Sequence, residues 1–358
     1  MFFTIHHSYC TSTCTSTIDR VKTISVIIAN FNGERYLPGC LAALSCQTFR
    51  DFEVIVVDNG STDGSLHILK KDFPWVRVIE LKENAGFARG NNIGFEASSS
   101  EFIATLNNDT IVDSGWLQAL YDTAVQDSTI GMAASKIYLG REGKELDSAG
   151  MLIYPDGMSR QRGRGEKDNG QFDADREVLF PSACAALYRR AMLNEVGYFD
   201  EDFFSYCEDT DLGLRGRLAG WKALFAPGAI VHHLYSGTGG KYSSFKALLV
   251  ERNHLWVLLK NMPAWYIVVS PLYIFWRYVV QIYGLLAGRG SVARFAEQSG
   301  MFEMIAVVIK AYCEALKKLP LMMRKRRQIR SGRCISPGQY RGLLKRHRIS
   351  AGELMLRD

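Results

Sequence analysis

Carboxylates and amides gather at five places in this chain, four of them directly behind short apolar runs. In "VIVVDNGSTDGS", Asp58, Asn59, Ser61 and Asp63 follow β-branched residues. A carboxylate there can accept hydrogen bonds from ribose hydroxyls or base N–H groups, as acids at strand ends do in nucleotide folds. A plain Asx turn, with Asp63 capping the next helix, accounts for the same letters without a ligand. "IIANFNGERYL" carries Ala29, Asn30, Asn32 and Gly33 into a helix start, where free backbone N–H groups can meet a ligand. "NAGFARGNNIG" sets Asn84, Gly86, Arg89 and Asn91 at another helix start, a place suited to a diphosphate unless packing alone requires the small residues. "FIATLNNDT" ends in Asn107, Asn108 and Asp109. Of these only Asp109 brings charge, and its hard oxygen suits Mg²⁺ or Mn²⁺, ions that often share ligands with a substrate's phosphates.

The fifth place is "FFSYCEDTDLGLRGRLAGW", with Glu208, Asp209 and Asp211 at a predicted helix start. The helix dipole is expected to lower carboxylate pKa values there. Asp211 and Arg215 are four apart and are expected to pair on the helix surface, leaving Glu208 or Asp209 to take a proton from an alcohol nucleophile. In "PGAIVHH", His232 and His233 should point to opposite faces of a strand; one could complete a metal shell, or both could be structural. Neither GxGxxG nor GxxxxGK[ST] occurs, which argues against a dinucleotide site of the usual kind and against a P-loop.

The elements that must position these groups are legible as alternation. Between Ile24 and about Leu139, near-continuous Val/Ile runs alternate with amphipathic stretches of helical length. That pattern predicts strands covered on both faces and parallel pairing through right-handed crossovers, hence an α/β, doubly wound sheet. From Gly140 to Val178 turn residues predominate, and a hairpin with a mobile loop is expected. A last strand pair is expected in "KALFAPGAIVHH". With 358 residues, 47% of them hydrophobic, the chain can bury a real core, and disorder is excluded. Eight scattered cysteines without CxxC pairs fit a reduced compartment.

Taken in order, "SVIIANFNGERYL", "VIVVDNGSTDGS", "NAGFARGNNIG", "LNNDT", "YFDEDFFSYCEDTDLGLR" and "PGAIVHH" resemble the motifs of family 2 glycosyltransferases, and most of all their rhamnosyltransferase-like branch. The resemblance spans roughly Ile24 to His233. It implies a GT-A fold binding a nucleotide-diphosphate sugar at the strand ends, with Asp58 and Asn59 at the nucleoside, Asp109 as the metal-binding acid of a DXD-like motif and Asp209 as the base. It also implies that His233 is the second protein ligand to a divalent metal. Two departures stand out: the family's paired aspartates are here Asp58 and Asn59, and the DXD is reduced to Asn107-Asn108-Asp109. A sugar nucleotidyltransferase would want a Gly-rich, Lys-containing loop after the first strand, which "ANFNGERYL" lacks; a non-catalytic glycan-assembly subunit is the other alternative.

Four regions are expected: a flexible leader (1–22), a GT-A domain (23–235), a helical membrane-associating region (236–335) and a basic tail (336–358). The third region contains "PAWYIVVSPLYIFWRYVVQIYGLLAG", apolar and aromatic but interrupted by Pro271 and Arg277, a poor fit to a free-standing span. "KKLPLMMRKRRQIRSGR" follows it and suits the cytoplasmic face of a membrane. Partners implied by the resemblance are the nucleotide sugar and a glycan or lipid-linked acceptor; a homodimer is an option and nucleic acid is not favoured. The Gly140–Val178 excursion and "SGTGGKY" are read as segments that close over the donor.

Overall fold

The computed structural model describes residues 21–234, 243–290, 294–295 and 300–356. The leader and the "SGTGGKY" segment lie almost wholly outside these residues.

The first half is the expected alternation: β1 (Ile24–Asn30), α1 (Leu37–Ser45), β2 (Phe52–Asp58), α2 (Ser65–Asp72), β3 (Arg77–Glu80), α3 (Gly86–Ala97) and β4 (Phe102–Leu106). Strands β3, β2, β1 and β4 lie side by side, all parallel. Side chains alternate between two cores with the period of a strand. Ile27, Ile55, Val57 and Ile103 face one cluster, and Val26, Ile28, Val54, Val56, Phe102 and Ala104 face the other. Helix α3 covers the first face and α1 the second, so both sides of the sheet are dry.

Beyond β4 come β5 (Thr110–Val112), α4 (Trp116–Ala124), β6 (Ile130–Leu139), β7 (Leu146–Ser148), β8 (Met151–Ile153), β9 (Ser159–Gln161) and β10 (Ala185–Arg189). They are followed by α5 (Arg190–Val196), α6 (Glu208–Leu218) and β11 (Lys222–His233). Strand β10 inserts antiparallel between β4 and β6, and β11 adds parallel to β6, giving the order β3-β2-β1-β4-β10-β6-β11-β5. The expected strand pair in "KALFAPGAIVHH" is one strand: its register slips between Ala226 and Ile230, where Pro227 has no N–H to give the ladder. The Gly140–Val178 excursion is also better packed than its turn residues imply. It pairs β7 with β6 and β8 with β9, and buries Ala149, Met151, Ile153 and Tyr154.

The C-terminal part is helical: α7 (Ser244–Asn261), α8 (Ala264–Leu286), α9 (Met301–Lys317), α10 (Leu319–Ser331), α11 (Pro337–Arg346) and α12 (Ala351–Leu356). Among the described residues no helix is long and apolar enough to cross a membrane. Arg277, at the middle of α8, is fully buried and bonds Asp156 at 2.8 Å and Glu251 at 2.8 and 3.1 Å. The stretch after Ser336 packs back on the protein: Tyr340, Leu344, Ile349 and Leu354 are buried, and Ile153 accepts from the Ile349 amide while its own amide donates to the His347 carbonyl.

Candidate active site

The turns after β1, β2 and β4 meet at the carboxyl ends of the parallel strands. Asn30, wholly buried, donates to Asp58 Oδ1 at 3.0 Å and to Ser61 Oγ at 3.2 Å, and its own Oδ1 accepts from Asn108 Nδ2 at 2.8 Å. Asp58 in turn accepts from the Ser61 amide and hydroxyl at 2.9 and 2.6 Å. Asn32 adopts φ 50° and accepts from the Thr62 amide at 2.8 Å. The Asn59 backbone N–H donates to the Asn30 backbone carbonyl at 2.7 Å, while the side-chain Oδ1 is buried without a partner. Ala29 pairs with Val57 across the ladder just below these groups. The three turns thus form one preorganised polar floor.

Asp63 and Arg89 do other work. Asp63 accepts from the Glu34 amide while Glu34 accepts from the Gly64 amide, both at 2.9 Å, a reciprocal lock between two loops. Arg89, expected at a diphosphate, is half-exposed and pairs with Glu201 at 3.0 Å. Asn91 donates within its own helix to Phe87 at 2.9 Å, and Asn84 accepts from the Gly86 amide at 2.9 Å to start α3. Gly86 has φ 86°, and a Cβ there would stand 2.5 Å from the Phe204 carbonyl oxygen, so only glycine lets the loop before α6 approach.

That loop is strained. Phe204, Tyr206 and Cys207 all have positive φ, 64°, 69° and 66°. Asn253 of α7 holds it by donating to the carbonyls of Phe203, Ser205 and Tyr206 at 3.0, 2.9 and 2.8 Å. The loop presents Glu208 and Asp209 on the first turn of α6. Burial overrides the helix dipole here, contrary to expectation from sequence. It raises both carboxyl pKa values, and the neighbouring Asp209 charge pushes Glu208 further up. Asp209 accepts from the Thr210 amide at 2.7 Å and the Ala183 amide at 3.3 Å, bonds that favour its anion, whereas Glu208 Oε2 is buried with no partner. The hydrogen bonds to Asp209 thus favour its anion over that of Glu208. Asp211 does pair with Arg215, at 2.9 Å, but in the interior rather than on the helix surface. Lys260 at 2.6 Å completes that pairing; burial opposes ionisation, yet the two cations hold the Asp211 pKa low.

Asp109 lies 3.4 Å from His233 Nε2, and His233 Nδ1 meets Asp147 Oδ2 at 2.8 Å. Arg164 bonds Asp147 in turn. A carboxylate behind the imidazole fixes its orientation, the arrangement usual for a metal-bound histidine. The opposite-face reading of the histidines holds, since His232 turns to Asp113 at 3.6 Å. Among the described residues no group of three or more His, Cys, Asp or Glu is placed to hold a metal, so a cation held by Asp109 and His233 would need its other ligands from elsewhere. Asp109 and His233 fit such a half-shell chemically.

The segment Ala183–Cys184 joins the acid pair to the rest. The Ala183 amide donates to Asp209, the Cys184 carbonyl accepts from the Asn107 amide at 2.8 Å, and the Cys184 thiol lies against His233. Asp209, Asn107, Asp109 and His233 are therefore gathered around one short stretch. Sequence reading missed Ala183, Cys184, Asp147 and Asn253. The first two act mainly through backbone, and the last two stand among other polar letters, Asp147 in "GKELDSAG" and Asn253 in "VERNHL", with nothing to single them out.

Residues 25–197 match the family model described as glycosyl transferase family 2. The chain carries a family 2 glycosyltransferase domain. It is 27% identical over 265 residues to the N-acetylglucosaminyl-diphospho-decaprenol L-rhamnosyltransferase of Mycobacterium tuberculosis, covering 68% of this chain and 86% of that protein. It is 31% identical over 119 residues to glycosyltransferase GlyG of Streptococcus pneumoniae, 32% of this chain and 39% of the other. Among solved structures, that of GalNAc-T7 with UDP, GalNAc and Mn²⁺ superposes with a TM-score of 0.55 at 18% identity. It covers 68% of this chain, which spans about half (48%) of that structure. At that identity the likeness concerns the fold, and the fold is GT-A. The protein is a glycosyltransferase whose residues 25–197 are of the family 2 type.

Proposed function

We propose that this glycosyltransferase is an inverting, metal-dependent enzyme that moves a sugar, rhamnose by analogy with the mycobacterial relative, from a nucleoside-diphosphate donor to a hydroxyl of a lipid-linked or cell-surface glycan. The observation that carries the reading is the gathering of Asp209, Asn107, Asp109 and His233 around Ala183–Cys184. The nucleoside lies over Asp58 and Asn59, with Asn30, Asn32, Asn107 and Asn108 framing the ribose and diphosphate. Asp109 and His233 would hold Mg²⁺ or Mn²⁺, which supplies charge neutralisation for the departing diphosphate. The UDP and Mn²⁺ in the solved GT-A relative support this pairing of ligands.

Asp209 takes the proton of the acceptor hydroxyl as its oxygen attacks the anomeric carbon. The bond from that carbon to the diphosphate breaks on the opposite side, the nucleoside diphosphate leaves, and configuration inverts. Glu208 stays protonated and spares Asp209 a second adjacent charge. Residues 23–235 form the catalytic domain. The acceptor of the mycobacterial relative is, by its name, carried on decaprenol diphosphate, which supports work at the cytoplasmic face of the cell membrane.

The test is hydrolysis or transfer from a panel of nucleotide sugars with Mn²⁺. Asp109→Ala and Asp209→Asn should each lower turnover by about 10²–10⁴-fold with melting temperature retained. Full activity in both variants rejects the assignment.

A further inference from the structure

Two helices outside the catalytic domain present apolar side chains to solvent. On α8 the exposed set is Trp265, Val268, Leu272, Phe275, Trp276 and Leu286, with spacings that fall on one side of the helix. The buried ion pairs of Arg277 fix which side that is, so the helix cannot roll its stripe inward. On α9, Phe302 (93% exposed), Ile305, Ile309 and Leu316 form a second stripe of helical period. The Tyr278 and Tyr312 hydroxyls, 3.4 Å apart, join the two helices.

The border of this surface is basic. Lys310 and Lys317 lie seven apart along α9, and Lys317, Arg324 and Arg327 line a cleft of about 520 Å³ where α9 meets α10. None of these four cations has an ionic partner among the described residues, whereas Lys318 and Lys325 beside them are bound to Asp202. A second cleft, lined by Lys318, Phe204 and Arg252, continues from this corner towards the strained loop that presents Glu208 and Asp209.

We propose that α8 and α9 lie in the plane of an anionic bilayer, their apolar stripes sunk among the acyl chains and Lys310, Lys317, Arg324 and Arg327 on the lipid phosphates, so that the clefts beside Lys318 open at the headgroup level. Apolar stripes next to unpaired cations are what such a surface attracts, and the burial of Arg277 on the other side of α8 leaves one side of that helix to meet it. This deepens the reading of a membrane-borne acceptor and stands apart from the chemistry.

Flotation of the full chain with phosphatidylcholine vesicles, with and without phosphatidylglycerol, tests it. The protein should float with both and at least about tenfold better with the anionic lipid, an advantage that high salt removes. The double variant Phe275→Glu/Phe302→Glu should stay at the bottom of either gradient. The triple variant Lys317→Glu/Arg324→Glu/Arg327→Glu should lose only the anionic preference. Circular dichroism and nucleotide-sugar hydrolysis, which these surface changes should leave intact, report folding and chemistry separately. Hydrolysis missing throughout while flotation behaves as stated would sink the catalytic reading alone. Failure of the native chain to float, equal flotation of the variants, or a dimer in light scattering that Phe302→Glu splits would overturn the proposal, the last by giving the face to a second copy.

Discussion

At Glu208 and Asp209 the chain places two acids where burial penalises both charges, and hydrogen bonds from Ala183 and Thr210 favour the anion at Asp209. A carboxyl whose folded pKa lies above its unfolded value stabilises the fold fully only below the unfolded value, and that contribution is lost as pH rises through the folded pKa. Glu208→Gln removes this loss, so its melting temperature relative to native protein should rise from pH 5 to pH 8, and it should keep far more activity than Asp209→Asn. A melting difference that is flat with pH would contradict the assignment of the proton to Glu208. Asp147 acts one atom removed: Asp147→Asn should weaken Mn²⁺ binding in calorimetric titration about 10–100-fold while leaving the fold intact. Asp58, Asn59 and Asp109 were visible as candidates because acids and amides behind apolar runs are conspicuous letters, and Asp209 because it opens an acidic helix start. Asp147 was not, because its value comes only from the distant His233.

At the scale of elements, the parallel half was legible because two-sided burial writes an unbroken Val/Ile signature, while the excursion after Gly140 hid its strands among turn residues. Helix α8 shows the same limit in energetic form. Its letters are apolar and aromatic but for Pro271 and Arg277 and do not say which side faces the protein; Arg277 is turned inward against Asp156 and Glu251. Arg277→Leu therefore leaves two buried acids without their cation and should destabilise the protein by about 3–5 kcal/mol in denaturant unfolding. For a helix surrounded by lipid the same change would stabilise, and that outcome would refute the packing described here. The expected surface pairing of Asp211 with Arg215 failed for a related reason. Periodicity shows which residues are neighbours on a helix but not that Lys260 and Asn261 of α7 will cover them.

For the whole molecule, the turns after β1, β2 and β4 and the acid pair belong to stretches far apart in sequence, and β10 is the strand that joins them. Its insertion between β4 and β6 also bears on biogenesis. While the nascent chain is shorter than Arg189, the completely buried strand Phe102–Leu106 has β1 on one flank and nothing from its own sheet on the other. A ribosome releasing only the first half would thus expose a hydrophobic hydrogen-bonding edge, the kind that recruits chaperones or sticks to its neighbours.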